Sequence, residues 1–206
     1  MKKTQFPNFA INALQNTKET IDNLINNSLG VNYYILPKIV INDLKFKPDF
    51  SQEINNYRQI YNELIGSRLI NDYKNPSPCV YIFEIVSCSQ NNETILKKYL
   101  SFQNEKSRAS SSIKKNVNFV ANDTKILYVG KSEKPIEGRM SVHFGYYEKG
   151  IAGLQLVHWA MDMQDELLKL NLVINVHILN LTKEYESLEF LEKLFFYKLN
   201  PLIGNR

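Results

Sequence analysis

Apolar positions recur at helical spacing between Ser51 and Asp72, where Ile54, Tyr57, Tyr61, Leu64, Ile65 and Leu69 share one face of an amphipathic helix. An earlier helix is expected over roughly Ile11 to Asn27, and between the two the stretch YYILPKIVI, with its proline and β-branched residues, reads as extended chain. The segment NPSPC, Asn75 to Cys79, interrupts both periodicities and places a domain boundary there, with an N-terminal, mainly helical extension over residues 1–75 and a second unit over 76–206. In that unit CVYIFEIV (Cys79 to Val86) and KILYVGKS (Lys125 to Ser132) are continuous apolar runs of strand length, as strands buried on both faces require. One helix is expected near Thr94 to Glu105, and another begins just after Pro135 and runs to Gly150, since proline is tolerated in a first turn. GLQLVHWAMDM predicts a further helix, VINVHILNL a third strand, and EYESLEFLEKLFFYKL a final helix stopped by Asn200 and Pro201. That order predicts an α+β fold, a small sheet with helices packed on it.

Composition narrows the possibilities without choosing among them. A chain of 206 residues with 44% apolar content can bury one full core and a small appendage, which excludes two large independent domains. The formal charge of +4 permits a polyanionic partner. Its distribution is uneven: residues 87–125 hold seven Lys and Arg against three Asp and Glu, whereas residues 126–206 hold nine against ten. The basic tract 87–125 includes Lys97, Lys98, Lys106, Arg108, Lys114 and Lys115, which could neutralise phosphates or simply keep a loop solvated. Two cysteines, Cys79 and Cys88, make neither a disulfide framework nor a zinc site, and are expected to be reduced thiols. No apolar run approaches the ~20 residues that span a bilayer, and none at the N-terminus has signal-peptide length. A soluble cytoplasmic protein with no membrane partner is expected.

The chemistry-bearing residues stand in a particular order. Cys79-Val80-Tyr81 lies on the first apolar run and Tyr128-Val129-Gly130 on the second; Arg139 follows Tyr128 by eleven residues and His143 by fifteen, and Glu192 heads EKLFFYKLNPLIGN nine residues before Pro201. This set resembles the GIY-YIG nucleases, over roughly residues 79–206. Two features depart from the family pattern: the first triplet lacks its Gly and Ile, and 47 positions separate the two tyrosines where a short hairpin is usual. An insertion in the hairpin accounts for the second departure.

The resemblance implies a three-stranded antiparallel sheet flanked by helices and a metal-dependent endonuclease that hydrolyses DNA phosphodiester bonds. It gives Tyr81 the task of accepting a proton from the attacking water, Tyr128 that of positioning water or phosphate, and Arg139 that of holding phosphate oxygens. His143 would relay a proton or orient a tyrosine, and Glu192 would hold one Mg²⁺ (or Mn²⁺). Asn205 would order the loop behind the Glu192 helix, and Lys131 would approach the phosphate. Such roles suit the side chains: arginine's planar fork matches phosphate geometry, and a single carboxylate suits an ion that keeps most of its waters. The compact arrangement is most similar to a Type II restriction endonuclease, whose substrate is double-stranded DNA, whose double-strand cut a homodimer would supply, and whose companion would be a cognate methyltransferase.

Taken singly, the same residues have plainer readings. Tyrosines in strands pack, and an Arg four residues before a His is an ordinary solvated helix face. Glu189, one turn before Glu192, competes for the metal role. His158, His177 and Trp159 lie in apolar stretches and are expected to pack. A catalytically silent nucleic-acid-binding module, a homing or repair nuclease of the same family, and an unrelated interaction protein stay open beside the restriction reading.

Overall fold

The computed structural model describes residues 31–44, 78–104, 124–146, 152–160, 169–181 and 186–204. Strands β1 (Val31–Val40), β2 (Cys79–Ser87), β3 (Ile126–Ser132) and β4 (Val173–Leu181) form one antiparallel sheet in the order β1-β4-β2-β3. Helices α1 (Asn92–Asn104), α2 (Ile136–Phe144), α3 (Leu156–Trp159) and α4 (Glu186–Leu199) complete an α+β architecture. No helix among the described residues is long and apolar enough to cross a membrane.

The sheet has four strands where three were expected. The additional one is the YYILPKIV stretch, which lies before the boundary placed at residue 75 and nevertheless pairs with β4 over its whole length. Without it, the outer edge of β4 would present a bare ladder of N–H and C=O groups. Leu36 and Ile39 turn into the core from it, so the pairing also buries apolar surface. The helices expected over Ile11–Asn27 and Ser51–Asp72 lie outside the described residues. The helix expected to run to Gly150 is described only to Phe144, where Gly145 at φ 93 caps it and donates its N–H to the carbonyls of Ser141 and Val142.

Strand β2 is buried on both faces because the sheet separates two apolar clusters. On one face Cys79, Tyr81, Phe83 and Ile85 join Ile174, Val176 and Ile178 of β4 beneath α1, α2 and α3. On the other, Val80, Ile82 and Val129 meet Leu188 and Leu191 of α4. After α4, Leu202 and Ile203 donate their N–H groups to the carbonyls of Ile126 and Leu127 at 2.9 Å, so the last described residues pair along the outer edge of β3. Thr124 ties the end of α4 to the start of β3 by donating its hydroxyl to the Leu199 carbonyl at 3.1 Å.

Where α4 does not reach, over β1 and β4, the second face carries a polar ladder instead. Asn175 and His177 of β4 donate to Glu84 Oε2 at 2.9 and 2.8 Å, and His177 Nδ1 lies 2.6 Å from the Tyr33 hydroxyl. His177 was expected to pack; it lies instead on this part-exposed polar surface, because β4 alternates its faces and 177 points away from the core. Asn175 Oδ1 also accepts from the Lys38 N–H at 2.9 Å, beside a register shift at Pro37-Lys38 where proline has no N–H to offer the ladder.

The hydrogen bonds from His177 and then Asn175 hold the Glu84 carboxyl below the usual carboxylate range. A group whose pKa is depressed on folding stabilises the fold above its unfolded value, about 4.3, and loses that contribution as pH falls through the folded value. Glu84→Gln is therefore expected to lower the unfolding midpoint at pH 7, with the gap to the parent protein closing as pH drops below about 4. Denaturant titrations at pH 7 and pH 3 check this; an equal gap at both would show that the charge of Glu84 contributes nothing.

Candidate active site

The β2–β3 register sets Tyr81 opposite Gly130 and Phe83 opposite Tyr128. A side-chain period of two then puts Tyr81, Phe83 and Tyr128 on one face of the sheet. Gly130 is needed where it stands: a Cβ there would lie 2.6 Å from the Tyr81 hydroxyl and 2.7 Å from the Tyr128 ring. The phenol of Tyr81 thus rests directly over the backbone of the neighbouring strand.

Helix α2 brings Arg139 and His143 to the same place, since residues four apart share a helix face. Its first residue, Ile136, is fully buried and anchors it, and Pro135 precedes it at the N-cap. The Tyr81 hydroxyl lies 2.9 Å from His143 Nε2, and Arg139 Nε–H donates to the same oxygen at 3.5 Å. Arg139 also shares a hydrogen bond with Tyr128. The rings of Tyr128 and Phe83 stand 4.9 and 5.3 Å from the His143 ring, closing an aromatic box around it. Four of the residues named from the sequence, Tyr81, Tyr128, Arg139 and His143, are therefore in mutual contact.

The protonation states follow from the partners. His143 Nδ1 receives the Leu154 backbone N–H at 3.1 Å, and an amide nitrogen can only donate. Nδ1 must carry the lone pair, so the neutral ring bears its proton on Nε2 and donates it to Tyr81. Burial, and after it the Arg139 charge, hold His143 well below the ordinary histidine value, which keeps the ring neutral. Burial, with Tyr128 adding to it, raises the Tyr81 phenol despite the opposing pull of Arg139. For Arg139, burial works against the charge, but Tyr81 and Tyr128 more than reverse it and its pKa rises. The resting trio is a neutral phenol, a neutral imidazole and a guanidinium. In this resting geometry His143 Nε2 donates to the Tyr81 oxygen and offers it no lone pair.

Arg139 also lines an open cleft of ≈ 510 Å³ with Lys131, Ser132, Glu133, Lys134, Pro135, Gly138 and Val142. Tyr81 is 0% exposed, and Arg139 therefore links the cleft to a phenol that solvent does not reach. Lys131 at the cleft lies 3.7 Å from Glu133 and 3.9 Å from Glu189.

Glu189 and Glu192 separate in character. Glu189 is exposed and paired with Lys131 and Lys193, whereas Glu192 is 4% exposed and its Oε2 accepts no hydrogen bond, although the residue has other contacts. Glu192 is one turn before Phe196, whose ring lies where a Cβ on Gly204 would be, 2.8 Å away, beside the segment bridged to Tyr128. A desolvated carboxylate oxygen fits a metal-ligand role better than a lysine-paired surface one. Among the described residues no cluster of three or more His, Cys, Asp or Glu could hold an ion.

The remaining expectations fall elsewhere. Lys97 is on the exposed face of α1, paired with Glu93 at 2.7 Å, and Lys98 follows it on the same helix, within the connection that lengthens the β2–β3 hairpin. Arg108, Lys114, Lys115 and Asn205 lie outside the described residues. Neither Cys79 nor Cys88 is in a disulfide; the Cys88 thiol donates to the Leu170 carbonyl at 3.2 Å, and burial raises the pKa of Cys79 to about 12. Residue-type reasoning missed Phe83 and the Leu154 amide. Phe83 was legible as the second residue after Tyr81 on the same strand face; a backbone donor from a loop eleven residues past His143 leaves no signature in residue identity.

Gly130→Ala is expected to displace the Tyr81 hydroxyl and cost about 1–3 kcal/mol through overpacking. Thermal unfolding checks it, and an unchanged midpoint would mean that the phenol is not pressed on that backbone. No protein-family model, curated protein or solved structure matches this chain, so the geometry of the site and the order of its residues carry the functional argument.

Proposed function

We propose that the chain is a metal-dependent DNA endonuclease, and that it cuts double-stranded DNA in the manner of a restriction enzyme. The observation that carries the reading is Arg139, which contacts two strand phenols on one side and lines a lysine-bearing cleft on the other. A phosphodiester entering that cleft would meet a guanidinium whose fork suits two non-bridging oxygens, with Lys131 and Lys134 beside it. Electrostatic stabilisation of the developing phosphorane charge is the largest service a site of this kind can perform.

Tyr81 would act on the attacking water, passing its own phenol proton to solvent in the cleft as it takes the proton of the water. Its oxygen already receives two donors, His143 Nε2–H and Arg139 Nε–H, and donors aimed at one oxygen favour its anionic form. Drawing Arg139 toward a phosphate would open the way from the cleft to that oxygen. Tyr128 would steer Arg139 between its two positions. Glu192 would hold Mg²⁺ or Mn²⁺, and the ion would supply positive charge to the phosphate and leaving oxygens. Two such sites are required for a double-strand cut, and a symmetric homodimer is the simplest source of both. In a restriction system a cognate methyltransferase would protect the host sequence.

One observation favours a second reading, a nucleic-acid-binding module without catalysis. Tyr81 is sealed and held neutral in the free protein, so burial opposes the very proton transfer assigned to it.

Incubation of the protein with unmethylated plasmid and genomic DNA separates the two. Discrete fragments are expected with Mg²⁺ and none with EDTA, and Arg139→Ala or Glu192→Gln should slow cutting about 100-fold or more. Intact DNA in every lane, together with binding that weakens steeply with salt, would replace the nuclease with the binding module.

A further inference from the structure

We infer that Trp159 is a positioning residue for the candidate site: its indole N–H fixes the Leu154 carbonyl and so the backbone at Leu154, whose N–H locks His143 as a hydrogen-bond donor to Tyr81. The chain of contacts is continuous. Trp159 Nε1 donates to the Leu154 carbonyl at 2.7 Å, the Leu154 N–H donates to His143 Nδ1 at 3.1 Å, and His143 Nε2 lies 2.9 Å from the Tyr81 oxygen. Leu154, His143 and Tyr81 are fully buried and Trp159 nearly so, so no solvent competes for these bonds.

The loop that carries Leu154 is held on several sides. A Cβ on Gly153 would lie 2.5 Å from Val142 Cγ1, so glycine lets this loop press on α2 one residue before His143. Gln155 adopts a left-handed φ of 57, which a non-glycine residue keeps only where its surroundings impose it. The Tyr99 hydroxyl reaches the Gly153 carbonyl at 3.5 Å, and the Tyr99 ring meets Trp159 edge-on at 5.0 Å. Trp159 thus holds the peptide that follows Leu154, through its N–H, while its ring packs on Tyr99, whose hydroxyl reaches the carbonyl of the peptide that carries the Leu154 N–H.

The direction of the Leu154 bond decides the chemistry. In a nucleophile–histidine–carboxylate relay an acceptor faces one ring nitrogen, holds the proton there, and leaves the other nitrogen to take a proton from the nucleophile. Here a donor occupies the corresponding place. The proton is forced onto the nitrogen that faces Tyr81, and the histidine can stabilise a phenolate but cannot create one. Its bearing on catalysis rests on Tyr81 acting in phosphodiester hydrolysis; the tautomer does not.

Long-range proton–nitrogen correlation on protein carrying ¹⁵N-histidine tests it at pH 7.5. The chain has only three histidines, and His143→Gln assigns the relevant signals. His143 is expected as a single tautomer with Nδ1 bare and Nε2 protonated, and Trp159→Phe is expected to mix the two tautomers. Should Trp159→Phe fold poorly, the benzothienyl analogue of tryptophan keeps the ring and replaces only the N–H. A proton on Nδ1 in the parent protein, or an unaltered tautomer once the indole N–H is gone, would overturn the inference. On a cleavable DNA, loss of the N–H should lower kcat about tenfold to a hundredfold with DNA affinity within about twofold. An equal fall in affinity would reduce Trp159 to a structural residue. If the parent protein cuts no DNA, the tautomer measurement still judges this assignment, and only the nuclease reading fails.

Discussion

The register between β2 and β3 is the constraint on which the site depends. Tyr81 faces Gly130 across the two strands, and a one-residue slip would send Tyr81 to the face occupied by α4 and away from Arg139 and His143. Apolar burial enforces the register from both sides, because Val80 and Ile82 belong to one cluster and Tyr81 and Phe83 to the other. The glycine does the rest, leaving a gap that the phenol fills. A requirement of packing and a requirement of chemistry are met by the same pair of residues.

Much of this arrangement was legible in the sequence, and the reasons differ by element. β2, β3, β4 and α4 were read within a residue or two at most ends, because long apolar runs and helical periodicity are imposed by burial. The fourth strand was visible as an extended stretch, but its membership of the sheet was not: pairing across about 140 residues is a property of β4's open edge and not of the segment itself. For the site, the order of Tyr81, Tyr128, Arg139 and His143 carried a resemblance to the GIY-YIG nucleases, and that resemblance grouped them. Which nitrogen of His143 holds the proton depends on a backbone amide, and residue identity says nothing of where an amide points. His177 was misplaced for a simpler reason, since an alternating strand exposes every second residue even in a largely apolar run.

The electrostatics of the resting site favour holding over reacting. A guanidinium shared by two phenols, beside an imidazole that cannot accept, is a stable arrangement where the cleft meets the buried core. Chemistry at such a centre must begin by disturbing it, and an anionic ligand competing for Arg139 is the natural disturbance.

The strand order β1-β4-β2-β3 has a bearing on how the chain acquires its shape. β4, which spans residues 173–181, is the central partner of both β1 and β2, so neither early strand finds its inner neighbour until most of the chain exists. Of the described strands, β2 and β3, with α1 in their connection, can pair ahead of β4 during synthesis. The edges that β1 and β2 will later give to β4 stay open meanwhile, and such edges are where unwanted strand pairing starts. Sheet completion is then a late, long-range event, slow because distant segments must meet before their pairing is rewarded.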